Sequence, residues 1–245
     1  LESVKQFAQW FLSKFRELHI LVNNAGIHYV SYSETVAKGA KDKYKSVDGY
    51  DKAFATNYLG HFLLTKLLTP VMLKTEQESG KGGRIINVAS SYHAQSDGTM
   101  LDSNEEGSLV PLAARSDINT NKHRIRAYSN NKLAQVLHAK ELQKQINSRQ
   151  NEFSISNFDN GGKTINTKVF STCPAWASTE ILGNSIPAQF VAHRAFPAKA
   201  AIIAQLGAIL DTSRFKGGEF ITNFKNDVAN QWWAKGFFYW ITKLG

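Results

Sequence analysis

Apolar residues recur along this chain with two alternating rhythms. In residues 1–17, Val4, Phe7, Ala8, Phe11, Leu12 and Phe15 fall at helical spacing and predict an amphipathic helix. His19 to Val22 reads as a short buried strand, closed by the turn formers Asn23, Asn24 and Gly26. Residues 31–48 are polar and Lys-rich, a surface loop by pattern. From about Gly49 through Leu73 a long helix is predicted, apolar at Phe54, Leu59, Phe62, Leu63, Leu67 and Leu68. A charged loop, Glu76 to Gly83, leads into Arg84 to Ala89, where Ile85, Ile86 and Val88 predict a buried parallel strand. A further helix carries Leu133, Val136, Leu137, Leu142 and Ile146. Thr167 to Thr172 reads as a strand, Ala198 to Leu210 as a helix, Glu219 to Thr222 as a strand and Asp227 to Leu244 as a terminal helix. Strand after helix is the rhythm of an α/β parallel sheet. Periodicity lapses at 92–126, expected to be an extended loop beside the site, and at 148–166, expected to be a mobile insertion.

Composition narrows this picture. A chain of 245 residues is long enough for one sizeable core, and 42% hydrophobic with 20% charged residues fits a globular protein, not a disordered one. No apolar run reaches the roughly 18 residues of a spanning helix, and the first residues read as an amphipathic helix and not as a secretory signal. Cys173 is the only cysteine, which excludes an intrachain disulfide and a multi-cysteine metal site. A net charge of +9 suits an anionic cofactor, an acidic membrane surface or nucleic acid. The basic residues are spread without a nucleic-acid-binding motif, so nucleic acid is set aside. Trp232, Trp233, Phe237, Phe238, Tyr239, Trp240 and Ile241 crowd the last predicted helix, to be read as core packing, a peripheral membrane contact or a homodimer contact.

Candidate chemistry centres on Tyr128 and Lys132, four positions apart and so on one helix face. A phenol ionises near pH ~10, so acid/base work near neutrality asks for a shift of roughly three units, about 4 kcal/mol. A fixed cation nearby supplies part of that. Alone, such a pair is more often the decoration of a solvated helix. Ser90 stands at the carboxyl end of a predicted strand, where open α/β sheets place their ligands, although a lone serine there usually only forms a turn. Asn57 sits inside a predicted helix, a poor place for an amide that competes with the backbone.

Taken in order, LVNNAG at Leu21 to Gly26, NYLGHFLLT at Asn57 to Thr65, GRIINVASS at Gly83 to Ser91, and Tyr128 with Lys132 resemble the short-chain dehydrogenase/reductase family, most of all its retinol-dehydrogenase-like branch. The resemblance implies a Rossmann-like doubly wound parallel sheet and an NADP or NAD cofactor, NADP being slightly preferred. It assigns catalysis to Asn57, Ser90, Tyr128 and Lys132: Tyr128 exchanges the proton, Lys132 lowers the tyrosine pKa and grips the nicotinamide ribose, Ser90 positions the substrate oxygen, and Asn57 holds a water on the proton path. For the cofactor it implies Asn23, Ala25 and Gly26, then Tyr128 and Lys132, then Pro174, Ala177 and Thr179 in the stretch CPAWASTE, where Ala175 replaces the family's usual glycine. Residues 181–197 would form the substrate lid.

The family's glycine-rich phosphate loop has no counterpart here: no GxGxxG-like pattern occurs, and the only methionines are Met72 and Met100. The expectation is an N-terminally truncated single domain, with the first strands and the phosphate loop missing. Two functions follow. One is an NAD(P)-dependent oxidoreductase acting on a small lipophilic alcohol, aldehyde or ketone. The other is a catalytically incompetent relative that works as an interaction protein, its first strand left as an unpaired hydrophobic edge. The sequence leaves the organelle open; an intracellular location is expected, with membrane association as one option.

Overall fold

The computed structural model describes residues 1–28, 46–96, 98, 101–103, 109–111, 121–156, 165–174, 202–210 and 215–222, of which 101–126 and 149–156 are described by backbone alone. In chain order the elements are α1 (Glu2–Lys14), β1 (Ile20–Asn23), α2 (Lys52–Phe54), a π turn (Ala55–Leu59), α3 (Gly60–Ser79), β2 (Arg84–Val88), a 3-10 turn (Ser91–Gln95), β3 (Leu101–Ser103), β4 (Leu109–Pro111), α4 (Asn121–Ser156), β5 (Lys168–Cys173), α5 (Ile203–Leu210) and β6 (Phe220–Thr222). The four longer-range strands form one parallel sheet in the order β1-β2-β5-β6, with Asn23 opposite Asn87 and Asn87 opposite Ser171. The α/β expectation holds. The described strands advance in one direction across the sheet, so one half-winding is what they contain.

Period-2 alternation sends the sheet's side chains to two different cores. On one face Leu21, Ile85 and Val169 meet Ala8 of α1, Leu68 and Met72 of α3, and Ala139 and Ile146 of α4. On the other, Ile86, Val88 and Phe170 meet Ala208 of α5, with Phe215 and Ile221 beside them. Because α5 lies over β2, β5 and β6, the β1 side chains on its face are uncovered: Ile20 is 46% and Val22 41% exposed. The predicted apolar face of α1 is likewise only half used. Ala8 is buried, whereas Phe7, Leu12 and Phe15 are exposed along with Trp10, and Phe7, Trp10, Phe11 and Phe15 pack as rings on one another.

Several sequence expectations need correction. The helix expected over 49–73 starts at an Asp51 cap, whose Oδ1 accepts the Phe54 N–H at 2.7 Å, passes through the π turn and runs to Ser79, so the expected charged loop shrinks to 80–83. Gly80 ends it with a φ of 71°, the left-handed cap that glycine adopts without strain. Its buried stripe keeps Phe54 and Leu68 from the apolar pattern and adds Asn57, His61, Thr65, Met72 and Thr75, whereas Leu59, Leu63 and Leu67 are half-buried and Phe62 is exposed. In α4, Leu137 is exposed while Gln135, Ala139 and Gln143 are buried. The loop expected over 92–126 contains the 3-10 turn, the antiparallel β3–β4 pair and the start of α4, and the insertion expected from Ser148 is helical as far as Ser156. The lid at 181–197 and the terminal aromatic helix lie outside the described residues. No helix among the described residues is long and apolar enough to cross a membrane.

A latch closes the amino end of the sheet. The Glu76 carboxylate accepts the backbone N–H groups of Asn166 and Thr167 and, at 2.6 Å, the Thr167 hydroxyl. Beside it the Arg84 guanidinium donates to the carbonyls of Gly82, Gly83 and Asn166.

Candidate active site

At the carboxyl end of the sheet the strands finish and polar side chains converge. β2 ends at Val88, and Ser90 follows in extended backbone, its hydroxyl capping the 3-10 turn by accepting the Tyr92 N–H at 3.2 Å. β5 ends at Cys173, whose sulfur accepts the Ser91 N–H at 3.3 Å. Across them runs α4, which carries Tyr128 and Lys132 four residues apart and presses both against the strand ends. The two are 8% and 5% exposed. The Ser90 hydroxyl stands near enough to the Tyr128 hydroxyl to favour its ionised form by hydrogen bonding. Lys132 Nζ donates to the Val88 carbonyl at 2.9 Å and lies 5.5 Å from the Tyr128 ring centroid. Ser90, and not its neighbour Ser91, is therefore the serine on the tyrosine.

Electrostatics departs from the sequence expectation at Tyr128. Burial pushes the phenol well above its usual range, with Cys173 and Tyr92 adding to the rise and only the Ser90 hydrogen bond opposing it. The expected lowering by Lys132 does not figure among the influences on the phenol: its ammonium lies 5.5 Å from the ring centroid. Burial draws Lys132 down to about 8, against a smaller upward pull from Cys173. The phenol is thus protonated, and the amine mostly charged, at neutral pH.

Asn57 belongs to a different layer. It is fully buried at the π turn, and its amide clips the backbone of Ile27: Oδ1 accepts the N–H and Nδ2 donates to the carbonyl, both at 2.8 Å. The π turn leaves the Asn57 carbonyl available to side chains, and it receives Gln135 Nε2 at 2.8 Å and His61 Nδ1 at 3.0 Å. His61 is drawn down to about 4, chiefly by burial, with Lys132 contributing and the Asn57 bond opposing. Asn57 therefore holds the loop after β1 beside the site.

Of the expected cofactor residues, Asn23 turns its amide inward, donating to Thr65 Oγ1 and Asn87 Oδ1, both at 2.9 Å. Asn87 in turn donates to the Gln135 carbonyl at 3.1 Å, tying β1, β2, α3 and α4 together. Asn23 as a whole is buried, so it braces the sheet and does not face a ligand. Ala25 and Gly26 are exposed just past β1, and Pro174 follows β5. Ala177 and Thr179 lie outside the described residues. Sequence reasoning missed three participants. His28 lies against Tyr128, Tyr92 stands edge-on to it, and Gln135 follows Lys132 by three residues on the same helix face. Their signal was position: each lies within three residues of a motif already singled out.

A nicotinamide nucleotide fits part of this constellation. Lys132 has three N–H donors and gives one to Val88, which leaves two for vicinal ribose hydroxyls, while exposed main chain at 24–26 lines the approach. No described groups of His, Cys, Asp and Glu could hold a metal ion.

Comparison with known proteins agrees with this geometry. Residues 1–102 match the short chain dehydrogenase family. Short-chain dehydrogenase TIC 32 A, chloroplastic, of Brassica napus is 32% identical over 166 residues, spanning 68% of this chain and 45% of that protein. Polyprenol dehydrogenase of Homo sapiens is 33% identical over 173 residues, 69% of this chain and 43% of that protein. The chain thus spans less than half the length of these relatives. Among solved structures, 3-ketoacyl-(acyl-carrier-protein) reductase from Brucella melitensis complexed with NADH superimposes with a TM-score of 0.54 at 20% identity, covering 90% of this chain and 71% of that one. The E. coli oxidoreductase yciK gives 0.55 at 18% identity, covering 90% and 68%. At such identities the likeness establishes the fold: an α/β sheet of Rossmann type.

Proposed function

We propose that this chain, a homologue of the short-chain dehydrogenases, carries the catalytic half of an NAD(P)-dependent oxidoreductase acting on a lipophilic alcohol or carbonyl compound. The observation that carries the reading is the convergence of three groups of unlike chemistry, the Ser90 hydroxyl, the Tyr128 phenol and the Lys132 amine, at the carboxyl ends of β2 and β5. Likeness to polyprenol dehydrogenase supports a lipophilic substrate of retinol-like character. NADP is the expected preference over NAD, by resemblance alone. A peripheral membrane contact through 227–244 would bring such a substrate to the site, and a homodimer contact through the same segment is the competing use.

When bound, the nicotinamide would supply or accept the hydride. The chain handles the proton. A phenol kept protonated by burial is prepared as a donor: its O–H bond breaks toward the substrate oxygen as the carbonyl carbon is reduced. Ser90, whose hydroxyl already stands near that of Tyr128, offers the second hydrogen bond that fixes that oxygen. The Lys132 ammonium stabilises the phenolate left behind and lowers the cost of charge appearing in a dry site. In the oxidation direction the same groups run in reverse, with Tyr128 taking up the proton.

Tyr128→Phe removes the transferable proton without emptying the ring's place. Turnover should fall by about 10²–10⁴-fold, with NADPH affinity, read from quenching or enhancement of its fluorescence, nearly unchanged. Turnover retained in the variant rejects the assignment.

A second reading rests on the uncovered β1. Ile20 and Val22 are exposed, and β2 is the only strand paired with β1 among the described residues. Such an edge suits docking against another protein surface. NADPH titration separates the readings: saturable binding by the chain favours the oxidoreductase, and none favours the interaction protein.

A further inference from the structure

His28 meets Tyr128 from the loop that follows β1. It follows the NNAG turn by two residues, and the backbone of its neighbour Ile27 is held on both sides by the Asn57 amide. The imidazole is brought against Tyr128 with ring centroids 4.6 Å apart and planes inclined by 58°. Tyr92 also meets the phenol, edge-on at 5.9 Å. Tyr128 therefore touches two rings from different parts of the chain. A phenol that must deliver one proton to one oxygen gains from a fixed orientation, since small misplacements of a reacting group cost rate steeply.

We propose that His28 is a positioning residue of this site, a flat ring packed on the Tyr128 phenol that holds it in line with Ser90. The inference rests on the oxidoreductase reading for its purpose, and on the ring geometry for its substance. Among the described residues, the titratable groups that act on this spot are Lys132 and Tyr128 from α4, with Cys173 and Tyr92 acting on the phenol. Burial, aided by Lys132, pulls His28 down to about 4, which favours the neutral ring near pH 7. A second cation here would compete with the ammonium for the same desolvated ground. The position therefore asks for an aromatic ring and rejects a charge.

Two measurements on the full chain test this. In the first, the His28 imidazole is followed by NMR through a pH titration, in the wild type and in Lys132→Met. The resonance should titrate well below 6.5 and move upward when the lysine charge is removed; titration near 6.5, or indifference to the substitution, overturns the proposal. In the second, turnover of a lipophilic alcohol is compared across position 28. His28→Ala should lower kcat by about tenfold with KM little changed, His28→Phe should restore most of that loss, and His28→Lys should not. Equal losses in the Phe and Ala variants would overturn the role. If no substrate is turned over, the oxidoreductase reading falls by itself, while the titration still decides whether His28 sits beside the cation. Should His28→Ala fail to fold, the Phe and Lys variants carry the same contrast.

Discussion

At the scale of single residues, the pairing of Tyr128 with Lys132 was legible from a spacing of four, because helix geometry makes neighbours of such positions. What the spacing could not convey was depth. Burial reverses the expected pull on the phenol, and it leaves Lys132 as a cation held against its desolvation. That has a measurable consequence. The lysine falls from 10.5 to about 8 on folding, so across that window the unfolded chain still holds a proton that the folded chain has released. Its penalty on stability is fully present below pH 8 and is relieved as the pH rises toward 10.5. At ~1.36 kcal/mol per unit, the relief amounts to roughly 3 kcal/mol. Urea unfolding of the wild type and of Lys132→Met at pH 7 and pH 10 should show the difference between them shifting in favour of the wild type by up to that amount. A difference that does not move with pH would mean that the amine is hydrated in the folded chain.

At the scale of elements, the four strands of the sheet and the helices α1, α3, α4 and α5 were read in their correct order, yet the faces of α3 and α4 were partly misread for a common reason. A pattern search equates burial with apolarity. Over the centre of this sheet α3 and α4 bury amides and hydroxyls instead, because Asn23 and Asn87 project from β1 and β2 and need partners there. The π turn was invisible for the same reason: its purpose is a carbonyl offered to Gln135 and His61, and no residue type announces that. The polar ends of α3 and α4 looked like loops because they carry no apolar stripe. The short connector 80–83 permits a finer test. A Cβ at Gly82 would lie 2.5 Å from the backbone carbonyl of Asn166, which cannot yield, whereas one at Gly83 would meet mainly the flexible Met72 side chain, at 2.4 Å. Within the ~1–3 kcal/mol usual for overpacking, Gly82→Ala should fall at or beyond the upper end and Gly83→Ala nearer the lower. Chemical denaturation that ranks them the other way would show that the 80–83 backbone moves as a unit.

For the molecule as a whole, alternation of strand and helix was enough to foresee the α/β class, but strand order and coverage depend on contacts between segments far apart in sequence. The consequence of that coverage is concentrated on β1 and α1, where Ile20, Val22, Phe7 and Trp10 face outward. Exposed apolar surface beside a strand edge promotes association. Ile20→Lys combined with Val22→Lys should therefore lower concentration-dependent light scattering at unchanged helical circular dichroism, and scattering that persists would direct attention to another surface. The opposite ends of β2 meanwhile serve different ends. Glu76, Arg84 and Thr167 lock its beginning, and Ser90, Tyr128 and Lys132 gather past its finish. Five residues at about 3.3 Å each put roughly 16 Å between them. Changes that far apart add independently as a rule. Robustness and chemistry can thus be tuned separately in this chain, so a lineage or an engineer could harden the lock without touching the reaction, or retune the reaction without loosening the lock.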